Sequence, residues 1–259
     1  IWNKRVRTMT KIIAVLNHKG GVGKTTTTVN LAAALRQKKK RVLAIDMDGQ
    51  ANLTESCGLS IEEERTVYGA MKGEYSLPLV ETAGGLTVAP SCLDLSAAES
   101  ELINEPGREL ILKGLIARLP DGRKFDYILI DCPPSLGMLT LNALTVAHYL
   151  IIPVQAQFLA MRGMAKITNV VATVRERLNP ALEIGGIVIT QFDRRKTLNK
   201  SVAELVKDAF CDKVFRTVIR DNVSLAEAPI KGKNIFEYNR NSNGAKDYMA
   251  LAQEVLKLK

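Results

Sequence analysis

The densest chemistry in the chain is the run Lys19-Gly20-Gly21-Val22-Gly23-Lys24-Thr25-Thr26. Its glycines let the backbone N–H groups from Gly20 through Val22 to Gly23 turn inward on one anion. A helix beginning just after them adds the partial positive charge of its N-terminus. Lys24 is placed to neutralise the β and γ phosphates of a nucleotide, the Thr25 hydroxyl to hold Mg²⁺, and the Thr26 hydroxyl to approach the α phosphate. The usual spacing GxxxxGK[ST] calls for glycine where this chain has His18, and a second lysine, Lys19, follows directly. A mere tight turn needs glycines but neither lysine, so the run predicts binding and hydrolysis of ATP with Mg²⁺.

Acidic residues at two further points complete the set. Asp46 and Asp48 follow the apolar run Val42 to Ile45, and Asp131 follows Tyr127-Ile128-Leu129-Ile130. In a parallel sheet these strand ends share one edge with the phosphate loop, so the carboxylates converge where a cation would sit. Alone, each aspartate reads as a turn former or helix cap. Beside the loop, Asp131 reads as the holder of Mg²⁺ through water. Asp48 reads as the residue that places the attacking water and as a second candidate for the metal.

The elements that must position these residues alternate along the chain. Strand patterns fall at Lys11 to Asn17, Arg41 to Asp46, Leu86 to Ala89, Phe125 to Ile130, Tyr149 to Val154, Ile184 to Ile189 and Val214 to Val218. Helical spacing is read at Thr25 to Lys38, Leu95 to Asn104, Arg108 to Leu119, Leu139 to Ala147, Ala160 to Leu178, Leu198 to Phe210 and Asn243 to Leu258. This alternation predicts an α/β fold of the P-loop NTPase kind: a mostly parallel twisted sheet of about seven or eight strands with helices on both faces. No repeat or linker divides residues 10–259, which read as a single ATPase domain. Residues 1–9 read as a flexible basic extension carrying Lys4, Arg5 and Arg7, with a functional basic arm as the alternative.

Composition narrows the classes. The chain has 259 residues, 46% of them hydrophobic, enough for a substantial core. No apolar run approaches the ~20 residues that span a bilayer, and the N-terminus lacks the features of a signal peptide, so a cytoplasmic protein is expected. Four scattered cysteines and two histidines match no metal-ligand spacing. A formal net charge of +9 favours polyanionic partners, although charge alone is often only a solvated surface.

From residue 10 onward the chain resembles the ParA/Soj branch of the deviant Walker A ATPases, the partitioning proteins related to MinD. The resemblance rests on KGGVGKTTTTVNLAAAL, VLAIDMDGQANLT, DYILIDCPPSLGMLTLNAL, the DRRKTLN loop and DKVFRTVIRDNVSLAEAPIKGKNI followed by GAKDYMALAQEVL. It implies that Lys19 is the signature lysine that reaches the partner's nucleotide across an ATP-sandwich homodimer. It also makes Asp48 the water-positioning residue, Asp131 the Walker B acid and Asn222 the contact to the adenine base. It implies nonspecific binding of double-stranded DNA, a ParB-like centromere-binding partner that stimulates hydrolysis, nucleoid association and no stable membrane attachment.

Two departures from the family pattern stand out. DPQGN becomes Asp48-Gly49-Gln50-Ala51-Asn52, which predicts a looser loop. IPRNVRLSEAP becomes Ile219 to Pro229 with Asp221 and Ser224 at two typical arginine positions. DNA contacts are therefore expected from Arg195 first, by resemblance, and from Arg194, Lys196 and Arg220 beside it. The alternative function is a MinD-like membrane-cycling division-site ATPase, which needs an amphipathic C-terminal anchor. The pattern over Asn243 to Lys259 suits a helix packed on its own domain better.

Overall fold

Unbroken runs of Val, Ile and Leu form strands covered on both faces, whose successive side chains supply two cores rather than one. The computed structural model describes residues 9–120, 125–157 and 160–258, so residues 1–8 of the expected 1–9 extension lie outside the described residues. Its strands are β1 (Lys11–Val15), β2 (Val42–Asp46), β3 (Val80–Glu81), β4 (Thr87–Ala89), β5 (Tyr127–Asp131), β6 (Tyr149–Gln155), β7 (Glu183–Phe192) and β8 (Val214–Arg220). They form one sheet in the order β3-β4-β2-β5-β1-β6-β7-β8. Every neighbouring pair is parallel except the short edge pair β3 and β4.

Alternation within β1 shows the two cores: Ile12, Ala14 and Leu16 face one side and Ile13 the other. Helix α1 (Lys24–Gln37) and helix α11 (Asn243–Val255) bury Leu31, Leu35, Tyr248, Leu251 and Val255 on the Ile13 side. Helices α5 (Ile111–Ala117), α6 (Met138–Val146) and α7 (Ala160–Arg177) cover the opposite face with Leu112, Leu115, Leu139, Leu144, Met164, Ile167 and Val171. Helix α8 (Thr197–Phe210) adds Val202 and Val206 to that face.

Several expected elements have different bounds. The strand expected at Ile184 to Ile189 runs from Glu183 to Phe192 through Gly185-Gly186, where its register with β6 slips by one residue at Gly185. Gly186 serves packing there, since a Cβ would sit 2.3 Å from the Phe215 ring of β8. The helix expected at Leu95 to Asn104 begins as a 3₁₀ turn, Leu93–Ala97, and only Ala98–Glu101 (α4) is α-helical. Arg108 to Leu119 likewise opens as a 3₁₀ turn, Arg108–Leu110, after Gly107 in the left-handed region at φ 69°. Short elements escaped periodicity altogether: α2 (Asn52–Ser56), α3 (Val67–Met71), α9 (Val223–Ile230), α10 (Ile235–Tyr238) and β3. One or two turns are too few to establish a 3.6-residue repeat.

Candidate nucleotide site

The phosphate loop runs from the end of β1 into α1, and its two sharpest bends are glycines in the left-handed region, Gly21 at φ 73° and Gly23 at φ 86°. Gly23 is the N-cap of α1 and no side chain caps it, so the N-terminal amides stay free to face an anion. The adjoining strand ends anchor the loop. Asn17 donates its Nδ2 to the Pro153 carbonyl at 2.7 Å and accepts the Lys19 amide at 3.1 Å. From β7, the Thr190 hydroxyl donates to the Val22 carbonyl at 2.8 Å, and Gln191 Nε2 to the Gly21 carbonyl at 2.7 Å.

The two lysines are held differently. Lys24 is buried at 8% exposure, with Nζ 3.5 Å from the Lys19 carbonyl oxygen. Lys19 instead lays its ammonium on the end of β6 and the segment after it, 3.5 Å from Gln155 Oε1 and 2.6 Å from Gln157 Oε1.

The carboxylates converge as the parallel register requires: Asp131 pairs with Val15 on one side and with Asp46 on the other. Asp131 accepts the Thr25 hydroxyl at 2.7 Å on Oδ2 and the Thr28 hydroxyl at 3.2 Å on Oδ1. Burial, reinforced by the negative charge of Asp46, pushes its carboxyl up to about 8 against the pull of Thr25 and Lys24. Burial also lifts Asp46 to about 6, although the Thr54 amide and hydroxyl donate to its Oδ2 at 2.9 and 2.8 Å.

Asp46 therefore organises the loop that carries Asp48. Its Oδ1 accepts the Asp48 amide at 3.2 Å. Asp48 in turn accepts the Gln50 amide on Oδ1 at 3.0 Å, and its carbonyl receives the Ser91 hydroxyl at 2.8 Å. Thr25 Oγ1 beside a buried carboxylate of raised pKa is a hard-oxygen pair suited to Mg²⁺, so the donors present fit that ion.

The loosened loop expected from Gly49 is replaced by a close approach. A Cβ at Gly49 would lie 2.1 Å from Ser96 Oγ and 2.8 Å from the Ser96 amide nitrogen, so the absence of a side chain lets the 3₁₀ turn pack here. Substituting proline, the residue usual in the family, is expected to cost about 1–3 kcal/mol through overpacking. Chemical denaturation of Gly49→Pro checks this, and unchanged stability with unchanged turnover would refute it.

A cleft of about 310 Å³ opens beside the loop, walled by Gly23, Thr26, Gln191, Asn222, Leu225 and Tyr248 among others. Thr26 and Asn222 thus line one cavity, as groups expected at the α phosphate and the base of one nucleotide must. Asn222 also caps α9, its side chain accepting the Ser224 amide at 2.9 Å. Arg220 lines the same cleft but grips Asp247 of α11, with Nε–Oδ2 2.9 Å and Nη2–Oδ1 2.6 Å. Arg220, expected among the DNA-contacting cations and with its side chain 30% exposed, is thus held by an ion pair with Asp247. Arg194, Arg195 and Lys196 are exposed together before α8. Arg195 reaches back to Asp193, with Nη2–Oδ2 at 3.0 Å, while its side chain remains 90% exposed.

Sequence reasoning missed Asn17, Thr28, Thr54, Ser91, Gln155, Gln157, Thr190 and Gln191. The available signal was their position: Gln155 and Thr190-Gln191 are polar residues near the C-terminal ends of β6 and β7, the edge on which the phosphate loop lies.

A parallel sheet whose first strand leads through a glycine loop into a helix, with the helix threonine bonded to a strand-end aspartate, defines a P-loop ATPase. The family model described as an AAA domain matches residues 10–184. The sporulation initiation inhibitor protein Soj of Bacillus subtilis is 44% identical over 251 residues, covering 95% of this chain and 98% of that protein. A structure of Mycobacterium smegmatis cobyrinic acid a,c-diamide synthase with bound ATP analogue and magnesium superposes at TM-score 0.84 with 36% identity, covering 96% of this chain and 95% of that one. A putative plasmid partition protein of Borrelia burgdorferi bound to AMPPNP gives TM-score 0.82 at 29% identity, covering 96% and 99%. The chain belongs to the ParA/Soj family of chromosome-partitioning ATPases.

Proposed function

We propose that this partitioning ATPase works as an ATP-sandwich homodimer that coats duplex DNA nonspecifically and is released when a ParB-like partner stimulates hydrolysis. The observation that carries the reading is the pairing of a complete cradle, Lys24 with Thr25 on Asp131, with a second lysine whose side chain lies outside it on Gln157. Lys24 and the loop amides hold the β and γ phosphates, while Thr26 approaches the α phosphate and Asn222 the adenine base. Asp48 orients the attacking water, and Lys19 from the second subunit neutralises charge developing on the leaving phosphate. Magnesium, when bound, would neutralise charge on the phosphates; Thr25 would hold it directly and Asp131 through water.

The MinD-like alternative needs an exposed apolar face on the C-terminal helix. Helix α11 instead buries Ala245, Tyr248, Leu251, Ala252 and Val255 in the core. No helix among the described residues is long and apolar enough to cross a membrane. We place the protein in the cytoplasm on the nucleoid, by its charge and its family. ATP turnover measured with random duplex DNA, with the ParB-like partner and with both tests the reading: synergy is expected, and no response to either would overturn it.

The DNA surface gives a separate expectation. Replacing Arg194, Arg195 and Lys196 together with alanine removes exposed cations that lie outside the nucleotide cleft. The slope of log affinity against log salt should fall by about 2–3, with turnover in the absence of DNA unchanged. Equal slopes for both proteins would exclude this loop.

A further inference from the structure

Three consecutive residues before the loop's first bend hold three separate points on one stretch of chain. Asn17 bonds the Pro153 carbonyl in β6, Lys19 rests on Gln155 and Gln157, and His18 between them faces Gly163 in α7. His18 stands where the general phosphate-loop pattern has glycine, and the ring it adds occupies the space a side chain at Gly163 would take. A Cβ there would fall 2.2 Å from His18 Cε1, 2.9 Å from Nδ1 and 3.3 Å from Nε2. His18 Nδ1 is buried and accepts or donates no hydrogen bond among the described residues. Such an atom costs free energy unless the packing around it compensates. Burial, together with the positive charge of Lys166 of α7 and Lys24 of α1, lowers the pKa of the ring and so favours its neutral form. Neither ammonium hydrogen-bonds Nδ1, although the neutral ring could accept there.

We propose that His18 is a positioning residue for ATP hydrolysis: its ring, seated on Gly163, fixes the signature-lysine loop to α7 and so sets where Lys19 starts from. The inference rests on the reading of Lys19 as the lysine that serves the partner's nucleotide. The phosphate loop beyond this point has its own anchors, Thr190 donating to the Val22 carbonyl and Gln191 to the Gly21 carbonyl. Disturbing the His18 seat therefore spares nucleotide affinity and falls on turnover.

The test is a double-mutant cycle on the full chain, read as turnover with Mg·ATP and random duplex DNA, alongside binding of a fluorescent ATP analogue. Gly163→Ala drives the ring from its seat and should lower kcat about tenfold while nucleotide affinity changes less than about twofold. On a His18→Ala background the same added methyl meets empty space, and kcat should change less than about twofold. His18→Ala alone should lose several-fold in kcat, and His18→Gln, long enough to reach Gly163, should recover most of it. Losses that multiply independently, or a Gly163→Ala protein with wild-type kcat, would overturn the proposal. Thermal melts identify a Gly163 variant that fails to fold, in which case the contrast between His18→Ala and His18→Gln decides: equal kcat in the two overturns it. Lys19→Ala in the same assay separates the two ideas. Full turnover in that variant refutes the lysine reading. Lost turnover there with no His18–Gly163 coupling refutes the positioning role alone.

Discussion

Mixing two inactive variants, Lys19→Ala and Asp48→Ala, restores turnover to about a quarter of wild type if the lysine acts across the dimer. Each substitution alone should cost about 10²–10⁴-fold in kcat, the first by removing charge stabilisation and the second by leaving the water unpositioned. Equal mixing makes half the dimers hybrid. One of the two sites in a hybrid then combines its own Asp48 with a lysine supplied by the other subunit. If Lys19 served its own nucleotide, every site in the hybrid would lack one group, and the mixture would stay inactive. The structure bears on the choice because Lys19 Nζ lies 2.6 Å from Gln157 while Lys24 alone is buried within the cradle. Analytical ultracentrifugation with ATP should show Asp48→Ala still dimeric, since its carboxylate acts on water rather than on the phosphate grip.

Binding of Mg·ATP at pH 7 should release close to one proton, and Asp131→Asn should abolish that release together with at least about 10²-fold of turnover. The sign follows from burial. A carboxyl lifted to about 8 carries its proton at pH 7 in the nucleotide-free chain. A cation beside it favours the charged form and expels that proton. Titration calorimetry in two buffers of different ionisation enthalpy measures the release, and buffer-independent heats would count against the assignment. The same raised value carries a stability consequence in the absence of nucleotide. The folded chain binds this proton more tightly than the unfolded one, so the Asp131 contribution weakens folding as pH rises from about 4 to about 8. Asp131→Asn should flatten that part of the melting profile.

The cradle was legible because its logic is local. Gly20 to Thr26 lie within seven consecutive residues, and the backbone geometry they permit dictates a phosphate site wherever strand leads into helix. Asp46 and Asp131 were legible through one further step, the shared edge of parallel strands, and their register pairing bears this out. The residues that hold the cradle in place were hidden because their partners are remote in sequence. Thr190 supports Val22 across 168 positions, and Gln157 holds Lys19 across 138. Only the strand order, with β6 beside β1 and β7 beyond it, brings them together. Arg220 shows the limit of a charge read without its partner. Its charge was visible, but its commitment to Asp247 depends on α11 packing along β8, which no local pattern encodes. Gly49 misled for a similar reason, since a glycine in a turn reads as freedom until a neighbour such as Ser96 occupies the vacated space.

A lysine resting on its own subunit's Gln157 has a kinetic corollary. On the dimer reading a solitary chain idles, keeping its accelerating charge folded away however much ATP surrounds it. On that reading consumption would depend on encounters: at low occupancy the rate would climb with the square of the number of loaded chains, and crowding them onto one stretch of DNA would start the cycle there first.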